Sequence, residues 1–181
     1  GNWNDPAHWS LTSGGIPTTC SPTKLDSTIF DANSMGAGDT VYTVNDLATS
    51  NYLQITNLPT GCVFSGTFIT VNGSVDIQSP VNWNVNTLKL TGTSGACILG
   101  ATTPLIYLDK VGTGTYTVTT DLTFEILYVE AGTMDFSNRT ISATGLDSYP
   151  GTTTIMANTL FSVMSYAFTG TQTFSSTAQF Q

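Results

Sequence analysis

The first ten residues, GNWNDPAHWS, gather the side chains best suited to chemistry: the indoles of Trp3 and Trp9, the carboxylate of Asp5, and His8, the single histidine of the chain. Flat indole faces beside an acid can hold a sugar ring, and an imidazole can serve as a general base or a metal ligand. A metal site needs several ligands at set spacing, and His8 has no His or Cys partner nearby. The same residues also suit a lid. Trp rings cover apolar surface, and NDP and SGG are turn chemistry. The terminal position favours the lid; Trp3, Trp9, Asp5 and His8 stand as the ligand-binding candidates.

A second set of candidates is carboxylate. Asp109, Asp121, Glu125, Glu130 and Asp135 fall in the middle of the chain. Paired acids on one face hydrolyse glycosidic bonds. These acids alternate singly with apolar residues and no compact constellation stands out, so no catalytic residues and no cofactor are expected. The cations are Lys24, Lys89, Lys110 and Arg139 alone, against 12 Asp+Glu, for a net charge of −8. Scattered cations make neither a lyase-type basic cleft nor a phosphate-binding surface, which excludes nucleic acid as a partner. No run of apolar residues is long enough to span a membrane as a helix.

These residues need elements to position them. Helical periodicity is nearly absent. Short alternating runs rich in β-branched and aromatic residues recur instead (LQIT, FITV, LKL, LIYLD, TYTVT, ILYVE), with Gly, Asn and Pro between them. Taking Leu53, Phe68, Leu88, Leu105 and Leu127 as starts, each run leads through a turn to a second short strand. A strand–turn–strand unit repeating every 15 to 22 residues predicts a right-handed parallel β-solenoid, with a β-sandwich or jelly roll as the alternative. In LYVEAGTMDFSNRTISATG (127–145), Leu127, Val129, Met134, Phe136 and Ile141 are expected inside, and Tyr128 and Glu130 outside. A solenoid has an open first rung that must be covered. Residues 1–38 are therefore expected to form an N-terminal cap, with Trp3 or Trp9 and Phe30 buried, and residues 39–181 the rungs. FTGTQTFSSTAQFQ still alternates and keeps Phe168, Phe174 and Phe180 for a core. Further repeats, a neighbouring domain or another subunit are expected against that end.

Charged residues make up only 9% of the chain, against about 25% in ordinary domains. Hydroxyls and amides take their place, which suits an extracellular, cell-surface or virion protein. The stretch GNWNDPAHWSLTSGG followed by IPTTCSPTKLDSTIFDANS resembles the N-terminal region of Bacteroidetes-type secreted β-repeat surface proteins, gliding and adhesion proteins exported by the type IX route. Similar openings occur in phage and environmental fibre proteins. The resemblance covers residues 1–34. It implies a non-enzymatic structural or adhesive module of a surface adhesin or fibre. A carbohydrate-binding or carbohydrate-processing β-helix, including a phage tail fibre or tailspike, is the alternative. In such a protein the Asp-Ser/Thr segments at Asp26 and Asp39 are candidate sites for surface glycans.

Three cysteines remain. With Leu53 and Leu88 as rung starts, Cys62 and Cys97 occupy equivalent places two rungs apart. At about 4.8 Å per rung that separation exceeds the reach of a disulfide. Cys20 lies in the cap, so a Cys20–Cys62 bridge is expected to staple lid to stack, leaving Cys97 free.

Overall fold

The computed structural model describes residues 1–34, 41–45, 48–78, 81–99, 105–156, 159–174 and 179–180. A 3₁₀ turn, Pro6–His8, precedes the strands β1 (Ser27–Phe30), β2 (Val41–Val44), β3 (Thr49–Ser50), β4 (Tyr52–Ile55), β5 (Val63–Val71) and β6 (Val75–Ile77). These are followed by β7 (Asn82–Leu90), β8 (Ser94–Leu99), β9 (Leu105–Lys110), β10 (Thr115–Val118), β11 (Leu122–Val129) and β12 (Thr133–Asp135). The last are β13 (Thr140–Ser148), β14 (Thr153–Met156), β15 (Leu160–Phe168), β16 (Thr171–Phe174) and β17 (Gln179–Phe180).

Strands alternate between two sheets. One carries the short strands in the order β1-β4-β6-β8-β10-β12-β14-β16; the other runs β17-β15-β13-β11-β9-β7-β5-β2, with β3 also paired to β5. The pairings are parallel throughout, which rules out the sandwich and makes the chain a β-solenoid. From β4 onward the coil length is steady. Leu53 lies opposite Val75, Val75 opposite Cys97, and Thr115 opposite Thr133, so register partners are 18 to 22 residues apart. No helix among the described residues is long and apolar enough to cross a membrane.

The alternation has a phase slip. The inward residues of β7 are Trp83, Val85, Leu88 and Leu90; those of β11 are Leu122, Phe124, Leu127 and Val129. Inward positions thus step by two, then three, then two. A straight strand cannot do this without turning its side chains to the wrong face. Each long strand therefore turns a corner at its middle, and a full coil has three arms. Stacked coils align like residues into columns, such as Ile69, Leu88, Leu108, Leu127 and Leu146, all buried. Residues 127–145 behave as their pattern predicts: Leu127, Val129, Met134, Phe136 and Ile141 are buried, while Tyr128 and Glu130 face out.

The corner after each long strand explains a glycine recurrence. Gly73, Gly92, Gly112, Gly132, Gly151 and Gly170 stand 19 or 20 residues apart. At all of these but Gly151 the stacked turns approach backbone to backbone, while Gly151 takes a φ of +85°. A Cβ on Gly92 would lie 1.6 Å from the carbonyl oxygen of Asn72, a contact no side chain survives.

The rung starts taken from sequence need correction. Phe68 and Leu88 lie in the long-strand sheet, whereas Leu53 belongs to β4 of the short-strand sheet and pairs with Val75. Cys62 and Cys97 are consequently not equivalent. Cys62 directly precedes β5, its carbonyl accepting from Asn82 at 3.0 Å, while Cys97 sits in the column Leu53–Val75–Cys97–Val118 of the other sheet.

The stack also starts earlier than the 1–38 boundary implies. β1 pairs with β4, and Gly1–Trp3 runs beside β2, with Trp3 N–H donating to Thr43 O at 2.9 Å and Thr43 N–H to Gly1 O at 2.7 Å. At the far end, Tyr166 continues the leucine column but is 67% exposed, stacked on Phe168 at 5.2 Å. The side chains of Phe174 and Phe180, together with Asp39 and Gln181, lie outside the described residues.

Candidate functional site

At the N-terminal end, rings stack in a continuous run. Trp9 meets Trp3 at 5.0 Å, Trp3 meets Phe30 at 5.9 Å, Phe30 meets Tyr42 and Phe64, and Phe64 meets Trp83 at 5.8 Å. Trp3 and Phe30 are buried; Trp9 is half-buried. The short-strand column ends here on Thr28, opposite Leu53. Trp3, Asp5, His8 and Trp9 do stay together, and each is engaged within the segment. Trp9 Nε1–H donates to Trp3 O at 2.6 Å, Asp5 accepts from Ala7 N–H as the cap of the 3₁₀ turn, and His8 Nε2 stands 3.4 Å from Asp5 Oδ2. A cleft of about 640 Å³ lies between this segment and the first coil, lined among others by Trp9, His8, Cys20, Thr28 and Asn33. Trp3 presents no open ring face to it, since 97% of the residue is covered.

The Cys20–Cys62 staple is not formed: all three cysteines are free thiols. Cys20 is exposed in a turn closed by Thr18, whose hydroxyl donates to Cys20 O at 2.8 Å, while Cys62 is buried at the start of a long strand. Burial raises the Cys62 thiol and pushes Cys97 up to about 12.

The carboxylates tell a different story from their scatter in sequence. Coil register brings Asp109, Tyr128 and Asp147 into one outward column of the long-strand sheet, preceded by Lys89. Three successive coils carry an aromatic–x–acid pair on this face: Tyr107 with Asp109, Tyr128 with Glu130, and, in reverse order, Asp147 with Tyr149. Tyr107 and Asp109 lie two apart on β9 and share its outer face. Glu130 and Tyr149 each stand one residue past the end of their strand and are exposed beside the outward Tyr128 and Asp147. Tyr107 and Tyr128 stack at 6.2 Å between centroids. Asp121, Glu125 and Asp135 are not part of the group; Asp121 accepts from Thr140 N–H at 2.8 Å and Asp135 closes a turn with Ser137.

Asp109 is the unusual member. Although outward, its side chain is only 10% exposed. Lys89 Nζ stands 3.4 Å from its Oδ2, and its Oδ1 is buried with no hydrogen-bond partner. Burial first, and the nearby Glu130 second, raise its carboxyl above the ordinary range, against the pull of Lys89. The Tyr128 phenol is raised too, by burial and then by Asp147, Tyr107, Tyr149 and Asp109, which marks how closely these groups crowd together. No group of three His, Cys, Asp or Glu among the described residues is arranged to hold a metal ion.

A separate surprise lies inside. Lys110 continues the inward column of Val71, Leu90 and Val129 and is fully buried. Its ammonium donates to the carbonyls of Gly112 and, at 3.1 Å, Ala131, and sits 5.2 Å from the Tyr116 ring centroid. The glycine corners supply those carbonyls, so an inward lysine is satisfied where apolar neighbours would leave it costly. Burial lowers its pKa. In sequence it looks like one more scattered cation.

No protein-family model, curated protein or solved structure matches this chain at a significant level.

Proposed function

We propose that the chain is a non-enzymatic structural and adhesive module of an extracellular surface protein or fibre. The observation that carries this reading is the outward face of the long-strand sheet, where coil register repeats a Tyr–acid pair on three successive coils. Such a ladder is fixed by the backbone, needs no moving parts and suits attachment. The acid at its centre, Asp109, is covered and has one oxygen ion-paired to Lys89, an arrangement suited to holding a ligand and not to cleaving one. The likeness of residues 1–34 to bacterial surface proteins points the same way, as does a composition that replaces charge with hydroxyls. Tyr166, exposed on a core column of β15 and stacked on the half-buried Phe168, supports contact with further coils, a neighbouring domain or another subunit.

The test pairs attachment with turnover. The purified chain is applied to a glycan array and to whole bacterial cells, and the same glycans are assayed for new reducing ends. Attachment without release is expected. Sustained release of reducing ends that vanishes in E130Q would overturn the reading in favour of a carbohydrate-processing solenoid, as would failure to attach to any surface.

A further inference from the structure

We infer that Tyr107, Tyr128 and Tyr149, with Asp109, Glu130 and Asp147 beside them, form a binding platform for a polysaccharide free of anionic groups, uncharged or amino-bearing. This names the ligand class for the module proposed above and rests on that reading.

The geometry comes first. Tyr128 sits one coil further along the stack than Tyr107 and two residues further along the strand. Tyr149, one residue past β13, repeats that offset, its N–H donating to Val129 O at 3.0 Å. Combining one strand spacing with two residues of rise places successive tyrosine Cα atoms about 8 Å apart along a diagonal, and the Tyr107 and Tyr128 rings lean together to 6.2 Å between centroids. The diagonal crosses three coils of a rigid sheet, so its length and direction are set without any ligand. Tyr149 is 46% exposed, and Tyr107 and Tyr128 are partly exposed on the same side. Ring faces with a hydroxyl at the rim suit sugar rings, which are apolar across C–H faces and polar at their edges.

Charge decides the class. The face carries three carboxylates against Lys89, and Lys89 is drawn to Asp109 and lies 5.5 Å from the Phe68 ring centroid. A uronate or sulfated chain would place like charge over Glu130 and Asp147. Uncharged sugars avoid that repulsion, and a protonated amino group gains from both the carboxylates and the tyrosine rings.

The independent sign of a ligand is Asp109 Oδ1. A buried carboxylate oxygen without a donor costs free energy that natural structures rarely leave uncompensated. This oxygen belongs to a side chain nine-tenths covered, between the Tyr107 and Tyr128 positions of the platform. The oxygen is covered in the free protein, so the rings beside it must give way for a sugar hydroxyl or ammonium to reach it, and either is a donor of the right kind to satisfy it.

Affinity electrophoresis of the full chain tests the proposal, using gels that contain hydroxyethyl cellulose, glycol chitosan or polygalacturonate. Retardation is expected in at least one of the first two and not in the third. Y149A, an exposed change, should weaken retardation about tenfold, and Y128A at least as much. E130Q and D147N should weaken glycol chitosan binding more than cellulose-ether binding. Circular dichroism melts identify any variant that has lost its fold; Y149A, E130Q and D147N sit far enough outside the core to keep it. Polygalacturonate binding equal to the others would overturn the platform, as would no retardation by either non-anionic polymer, or binding indifferent to Y149A and Y128A. If the chain attaches to cells yet no polysaccharide retards it, the platform fails while the adhesive reading stands.

Discussion

Replacing Trp3 tests whether the aromatic run seals the stack. Trp3 is 3% exposed and lies between Trp9 at 5.0 Å and Phe30 at 5.9 Å. A buried indole removes roughly 150–250 Å² from water, which at about 25 cal/mol per Å² sets an upper bound of about 4–6 kcal/mol. W3A should therefore cost about 3–5 kcal/mol. Trp3 Nε1 has no partner, so W3F loses area but no hydrogen bond and should cost only about 1–2 kcal/mol. W9A behaves differently. Trp9 is half-buried and its Nε1–H donates to the Trp3 carbonyl, so area and one bond are lost together, about 2 kcal/mol in all. Urea unfolding followed by circular dichroism gives the three values, with unchanged slope as the sign that only stability moved. The order W3A, then W9A, then W3F is not required, but W3A must exceed both. A W3A cost below about 1 kcal/mol would refute the seal. So would W3F as costly as W3A, because a vital Nε1 bond would then exist.

Other consequences follow from the same packing. Asp109 is held above its ordinary value of 3.8, so the native state binds the extra proton; its contribution is full below that pH and is lost as pH rises through the raised folded value. D109N should thus melt with a flatter pH profile than the wild type as pH rises from about 4, and parallel profiles would refute the assignment. Thiol labelling of the native protein should modify Cys20 quickly and leave Cys62 and Cys97 untouched, with three thiols reacting after denaturation without reductant. One free thiol in the denatured chain would restore the staple. G92A should cost about 3 kcal/mol or more because its Cβ meets the Asn72 carbonyl. G151A, whose Cβ meets nothing but whose φ is +85°, should cost about 1–2 kcal/mol in the same urea titration.

What could be read from the chain alone divides along physical lines. The stretch 127–145 was legible because its alternation runs unbroken from Leu127 to Val129 and resumes at Met134, so inside and outside follow from period two. The register of the other coils was not, because each long strand turns a corner and shifts its alternation by one residue. Leu53 and Leu88 look alike under such a slip, yet they occupy different sheets, and the error carried through to Cys62 and Cys97. A better ruler was present in Gly73, Gly92, Gly112, Gly132, Gly151 and Gly170, because the close approach of stacked turns admits no other residue at its tightest points. With coils set by those glycines, the Tyr–x–acid pairs at 107–109 and 128–130 fall on one face. The burial of Lys110 and Asp109 had no comparable signal. Each depends on neighbours from adjacent coils, and nothing in the local sequence of either marks it as covered.

The parallel register has a mechanical consequence. Hydrogen bonds between coils run along the stack, so tension applied at its two ends pulls them apart in line. A coil then detaches as a unit, and the break passes to the next. Detaching one coil frees 18 to 22 residues, from Leu108 to Leu127 for instance, or about 65 Å of extended chain in place of one strand spacing. A stack built this way yields in steps of similar length under load and lengthens many times before it parts. Anchored at one end and gripping a surface with its flank, it would spread a sudden pull over time instead of passing it whole to the attachment.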